Sequence, residues 1–529
     1  MDMRKRRSIL PVLLMVAALI GVIVLAACAP SGNGGNGNGT PPPRPWIVKF
    51  GYEIGFQGAN RLDPHATVQP PLVACYAEGL IAKDQVTGEV MPGLATGWEV
   101  APDWSYIDYF IREGVTFHNG DLMTAEDVKF SFDRAMLEEI NPLGWYYLVD
   151  EIDSVEIIDD HQVRVYMTGE YDLNKPAHGL LEGTSVIVPK DYIEEVGNEE
   201  FGLEPVGTGP FRVVDWEADE YVHLEAVEDH WRHTPNYDEL MFMTVPETAT
   251  MYAMLATGEL DIAVIMPSLI PDVDANPDLT RVMSTHSTIR AIIFYDMARP
   301  DEPSPFLDPD VRKAGSLAID RVGISENVFF GSYIPWGSYY APYVLGYRYR
   351  EPDPYDPDEA RRLLAEAGYP DGFDTEFVFP TNYQIESEAT IACLEEIGIR
   401  VEALQMESMT WVTEHILGTH RGIGFTFIPM WSGNIHPIMT FAGEVGAFDP
   451  VGRNYEELVE AADNLMFATT EEEIIQAAWA AEDLVWSLNY KIPVFAVLGA
   501  YAYGPTIEWW QPRPGMEHSP GLEYIRFKE

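Results

Sequence analysis

Lysine is scarce in this chain. Only nine of its 33 basic residues are lysines, against 84 Asp plus Glu, and the formal net charge is −51. Nucleic-acid partners need cationic surface to displace counterions, so so acidic a protein excludes them. Anionic lipid headgroups are excluded as partners for the same reason. The acidity either keeps the surface soluble or adapts it to salt, which screens self-repulsion. Cysteine is nearly missing too: Cys28, Cys75 and Cys393 are the only three, with no metal-type spacing. Cys75 and Cys393 either pair in an oxidising compartment or stand as two buried thiols; nothing local pairs them, and the thiols are expected. The motifs of common enzymes are absent: no G-x-S-x-G, no H-E-x-x-H, no P-loop and no G-x-G-x-x-G. Gly207-Thr208-Gly209 precedes Pro210 and a strand, not a helix, and so cannot cradle a phosphate. No catalytic residue, cofactor or metal site is expected. His230-x-x-His233 has the spacing of two helical metal ligands, but Trp231 intervenes and Pro235 follows, so a loop is expected; His415 and His420 are equally weak.

Long apolar runs are also rare, with one exception. Arg4, Lys5, Arg6 and Arg7 precede an apolar stretch from Ile9 to Ala27, which ends in Leu25-Ala26-Ala27-Cys28. This has the form of a bacterial lipobox: residues 1–27 read as a signal peptide and Cys28 as the lipid-bearing residue. An uncleaved membrane anchor is the alternative. Either way the body of the protein is exported. Residues 28–45 then carry SGNGGNGNGTPPPRP, a flexible coil stiffened by proline toward its end. The folded body is expected to begin near Trp46.

With 529 residues the chain exceeds one hydrophobic core. Trp46–Ile54 reads as a buried strand. Thr124-Ala-Glu-Asp127 is a capping box opening a helix. Val155–Ile158 with Gln162–Met167, and Phe211–Trp216 with Tyr221–Val227, read as hairpins. Thr248–Thr257 is helical, stops at Gly258, and feeds a strand at Leu260–Val264. Asp356-Pro357-Asp358-Glu359 starts a helix that closes at Gly368; Phe373–Pro380 and Arg400–Gln405 are strands. Helices and strands alternate in both halves, an α/β signature.

A set of distributed segments carries the strongest signal. In order they are Leu62-Asp63-Pro64-His65, Ala77-Glu78-Gly79-Leu80, Pro92–Ala135, Pro205–Trp231, Leu255–Ala263, Asp308–Ile324 and Tyr355–Phe373. Together they closely resemble the family 5 extracellular solute-binding proteins, which include oligopeptide-, dipeptide- and nickel-binding proteins of ABC importers. Each segment has a structural job, so they specify the fold and not the ligand. The resemblance implies a periplasmic-binding-protein-like α/β fold (class C type), with two lobes around a ligand cleft and an added α+β subdomain. Lobe 1 would take 46–80, 204–287 and 490–529, the subdomain 81–203, and lobe 2 288–489. The hinge would lie near Thr285–Ala291 and Asn489–Pro493.

The implied function is a non-enzymatic one: a monomeric lipoprotein on the outer face of the cytoplasmic membrane captures a peptide or similar small solute by lobe closure and hands it to an ABC permease. A receptor feeding a sensor would bind in the same way; an exported hydrolase lacks its motifs. Trp431, Asn434 and His436 match a stretch that lines the cleft in the family, where dipeptide-binding relatives carry an aspartate for the ligand's ammonium. Trp336, Tyr339 and Tyr340 lie in a Gly/Pro-rich loop and either cover a solute or pack on their own lobe. Glu53 and Phe56 follow the first strand and are expected at the cleft, with a solvated role the alternative for Glu53.

Overall fold

The computed structural model describes residues 46–52, 62–66, 70–85, 90–102, 105–137, 140, 152–167, 186–284, 288–342, 344–429, 450–466, 468, 470–513 and 521–528. Three larger sheets organise them. The first has seven strands in the order Thr280–Met283, Ala500–Tyr503, Ile262–Val264, Ile47–Tyr52, Glu239–Thr244, Tyr221–Ala226, Phe211–Glu217. The second has six: Tyr333–Pro335, Lys491–Val497, Thr288–Phe294, Ile423–Pro429, Phe373–Pro380, Ile399–Met406. A four-stranded antiparallel sheet of residues 95–167 packs against the helix Ala125–Ala135 around its own core, which includes Ile107, Val128 and Val163.

Local chemistry explains the element ends. Asp127 Oδ2 accepts from the Thr124 backbone N–H at 2.8 Å and from its hydroxyl at 2.7 Å, which starts that helix. Asp356 accepts from Glu359 N–H at 2.9 Å and opens the helix Pro357–Glu366. Thr248–Thr257 ends on Gly258 at φ +78°, a left-handed cap that glycine adopts without strain. Both expected hairpins form, as Ile152–Asp159 with Gln162–Met167 and Phe211–Glu217 with Tyr221–Ala226. Cys75 lies in the first lobe's core and Cys393 against the second's, so the two thiols belong to separate lobes.

One boundary moves. The resemblance placed residues 490–529 wholly in lobe 1 and a hinge near Asn489–Pro493, but Lys491–Val497 pairs with Thr288–Phe294 and Tyr333–Pro335 in the second sheet. All seven of its residues are buried, as a central strand requires. Asn489, at φ +49°, merely caps the helix Glu471–Leu488 before it. The chain therefore crosses between the sheets somewhere between Met283 and Thr288, and at Leu498–Gly499.

Candidate functional site

In the first sheet Ile47–Tyr52, Glu239–Thr244 and Ile262–Val264 run parallel. In the second, Phe373–Pro380, Ile399–Met406 and Ile423–Pro429 do. Both crossings leave from the edges where these strands end, since Met283 pairs with Ala500 and Thr288 with Val497 and Pro429. Open α/β sheets bind ligands in the crevice beyond the carboxyl ends of their strands. The connections thus turn the binding edge of each sheet toward the same crevice.

On the second lobe, a charged and aromatic group collects at that edge. Arg290 lies two residues inside it, with Nε 3.3 Å from Glu386 Oε1 and its guanidinium 4.0 Å from the Tyr383 ring centroid. Tyr383 sits in the turn directly after Phe373–Pro380, and Glu386 in the first turn of Gln384–Glu396. Burial pushes the Glu386 carboxyl up, opposed by Arg290. Trp411, in the helix after Ile399–Met406, stacks on His415 at 4.8 Å. Glu386 is 3%, Tyr383 7% and Trp411 1% exposed, so the ion pair and the rings brace this edge from within the lobe. Sequence reasoning missed this group; the available signal was an arginine inside the otherwise apolar strand TIRAIIF.

Glu53, Phe56, Trp431, Asn434 and His436 lie outside the described residues, as does Cys28. Trp336 and Tyr339 pack on their own lobe, 6% and 2% exposed. Trp336 stacks on Tyr347, and the Tyr339 hydroxyl donates to the Lys491 carbonyl. The buried carboxylate of Glu482 accepts from Ser338 Oγ at 2.9 Å and Tyr339 N–H at 3.2 Å, which ties the aromatic loop down. Of the two roles open to these aromatics, these contacts are those of packing on their own lobe.

The family-like segments hold parts together. In Leu62–His65, Asp63 pairs with the buried Arg134 of the four-stranded subdomain. Glu78 meets Arg232 at 2.9 Å and accepts from Trp231 Nε1 at 2.7 Å. Burial alone would raise the Glu78 carboxyl, but Arg232 and His230 bring it down to about 2. Both ring nitrogens of His230 have protein partners: Nε2 lies 2.9 Å from the Thr208 carbonyl, and Nδ1 accepts from His233 N–H at 3.2 Å. His233 stacks on Tyr524. His415 meets the Tyr295 hydroxyl at 2.9 Å, and His420 Nε2 the Trp411 carbonyl at 3.1 Å, both buried.

Two sheets joined at their carboxyl edges, with a subdomain on the first, give the two-lobed architecture of a solute-binding protein. A family model for bacterial extracellular solute-binding proteins, family 5, matches residues 89–441, and the chain belongs to that family. It is a solute-binding protein of the ABC-transporter type. It is 29% identical over 359 residues to the glutathione-binding protein GsiB of Salmonella typhi, covering 67% of this chain and 68% of that one. It is 29% identical over 471 residues to heme-binding protein A of Haemophilus influenzae, covering 80% and 82%. Among solved structures, NikA from Brucella suis in complex with Fe(III)-EDTA matches with a TM-score of 0.81 at 19% identity, over 91% of this chain and 100% of that one. DppA from Helicobacter pylori in complex with the peptide STSA matches at 0.75 and 20% identity, over 92% and 98%. At these identities the likeness is one of fold.

Proposed function

We propose that this protein captures a peptide or peptide-like organic solute between its lobes and presents the closed form to an ABC permease, while a lipid on Cys28 holds it at the outer face of the cytoplasmic membrane. The observation that carries the capture reading is the pair of crossings that brings both carboxyl edges to one crevice. A solute shifts such an equilibrium only by preferring the closed form; a switch from 1:99 to 99:1 takes about 5.5 kcal/mol. The names of the relatives support organic solutes of this size.

Asn434 and His436 stand where dipeptide-binding relatives carry an aspartate, so the preferred solute does not depend on a free α-ammonium, which needs a paired charge once it leaves water. Mass spectrometry of whatever co-purifies with natively expressed protein identifies the class. Calorimetry with matched free and N-acetylated di- and tripeptides then tests the preference. Comparable affinity for the two forms is expected; binding of free peptides that acetylation abolishes would refute it. Membrane attachment is tested apart from this: Cys28→Ser is expected to leave the precursor unprocessed or release the protein, and a variant still cleaved and lipid-bound would end the lipobox reading.

A further inference from the structure

We infer that at the second of the two crossings lobe closure, as proposed above, pivots on the backbone of Leu498, and that the Ser284 hydroxyl confines it there. Only Leu498 and Gly499 separate the second-sheet strand ending at Val497 from the first-sheet strand starting at Ala500. The Leu498 N–H donates to the Ser332 carbonyl at 2.8 Å, which fixes the peptide before Leu498 to the second lobe. The Gly499 N–H donates to Ser284 Oγ at 2.7 Å, which fixes the next peptide to the first lobe. The Gly499 carbonyl accepts from Ser284 N–H at 2.8 Å, which fixes the peptide after that to the same lobe. The φ and ψ of Leu498 are then the torsions left between the two grips at this crossing.

Gly499 would otherwise be the softest joint, because glycine has the widest backbone freedom. Ser284 removes it from the hinge by holding the peptides on both sides of it. The residue is built in for this: Ser284 is 3% exposed, and a Cβ on Gly499 would come within 3.0 Å of Ser284 Oγ and 3.3 Å of Tyr501 Cε2. Restricting rotation at this crossing to one residue narrows the paths that closing can take, so that a solute meets both lobes in register. Ser284 is thus a positioning residue for capture, not a contact to the solute.

Spin labels at Val214→Cys on the first lobe and Val322→Cys on the second, both well exposed, report the distance between lobes. They are used in the full chain carrying Cys28→Ser and Cys393→Ser, with Cys75 buried and out of reach. With no solute added, Ser284→Ala is expected to widen the distance distribution about twofold, because it returns the glycine's torsions to the hinge. Ser284→Thr, which keeps the hydroxyl, restores the narrow distribution. The double variant Ser284→Ala/Gly499→Ala narrows it again by restricting residue 499 directly, an effect that mere loss of a stabilising bond would not produce. Equal widths in the parent and Ser284→Ala, or no narrowing in the double variant, overturn the inference. Adding a tryptic digest of casein separates the two readings: a distance that never responds counts against peptide capture, while the solute-free widths still decide the role of Ser284.

Discussion

Arg134→Met is expected to lower stability by about 3–5 kcal/mol, read as a fall in the urea midpoint at unchanged slope. Arg134 and Asp63 are each 3% exposed, and Nη1 donates to Asp63 Oδ1 at 3.1 Å. Nε reaches Asn198 Oδ1 at 3.1 Å. Methionine fills much of the volume but leaves Asp63 as a buried charge with no cation beside it. The double variant Asp63→Asn/Arg134→Met is expected to recover much of the loss, since neither charge is then stranded. A single variant costing under about 1 kcal/mol would mean that the pair is solvated and that it does not join the subdomain to the first lobe.

The same site carries an acid sensitivity. His65 Nδ1 accepts from Arg134 Nη1 at 2.8 Å while Nε2–H faces the Val186 carbonyl at 2.9 Å, an arrangement that needs the neutral ring. Burial first, and the Arg134 charge second, bring its pKa down to about 4. The folded value lies below the unfolded one near 6.5, so the unfolded chain binds the extra proton. The contribution is therefore whole above about pH 6.5 and is lost as pH falls toward 4, at roughly 1.4 kcal/mol per unit of separation. In Arg134→Met one of the two causes is gone, the His65 pKa rises, and this window narrows.

Gly209→Ala is expected to be comparably damaging, at about 3 kcal/mol, by overpacking. Its Cβ would lie 2.6 Å from the Cys75 carbonyl oxygen and 2.6 Å from the Tyr76 carbonyl carbon, both backbone atoms at the end of the helix Pro70–Tyr76. The Gly209 N–H donates to the Tyr76 carbonyl at 3.0 Å, so the two segments cannot part without losing that bond. Gly97→Ala is the control. Nothing lies within 4 Å of its Cβ, and a change of no more than about 0.5 kcal/mol is expected from thermal melts. Equal melting temperatures for both variants would show that the close approach relaxes at little cost.

What the sequence discloses tracks how local the physics is. Thr124–Asp127 and Asp356–Gly368 carry their own start and stop chemistry within a few residues, and their helices lie where that chemistry puts them. Lys491–Val497 does not. KIPVFAV is apolar on both faces, so nothing within it says which of two sheets it joins; that is settled by pairing with residues some 200 positions earlier. The aromatic loop fails similarly. Trp336 and Tyr339 look available until Glu482, on a helix about 140 residues away, takes the loop's polar groups. Arg290 and Glu386 become a pair only through the fold, and an acid among 84 gives no warning of its partner.

The position of residues 491–503 bears on how the protein comes into being. Lys491–Val497 lies between Tyr333–Pro335 and Thr288–Phe294, and Ala500–Tyr503 lies between Ile262–Val264 and Thr280–Met283. Neither large sheet can be completed until this stretch, the last in chain order to join either of them, is at hand. A nascent chain lacking it leaves Thr280–Met283 and Tyr333–Pro335 without their sheets, and both lobes await the same late arrival. Completion of both sheets is thereby deferred until residue 503 has been made, which keeps the chain before it threadable for passage across a membrane and leaves products that stop short of it with neither large sheet complete.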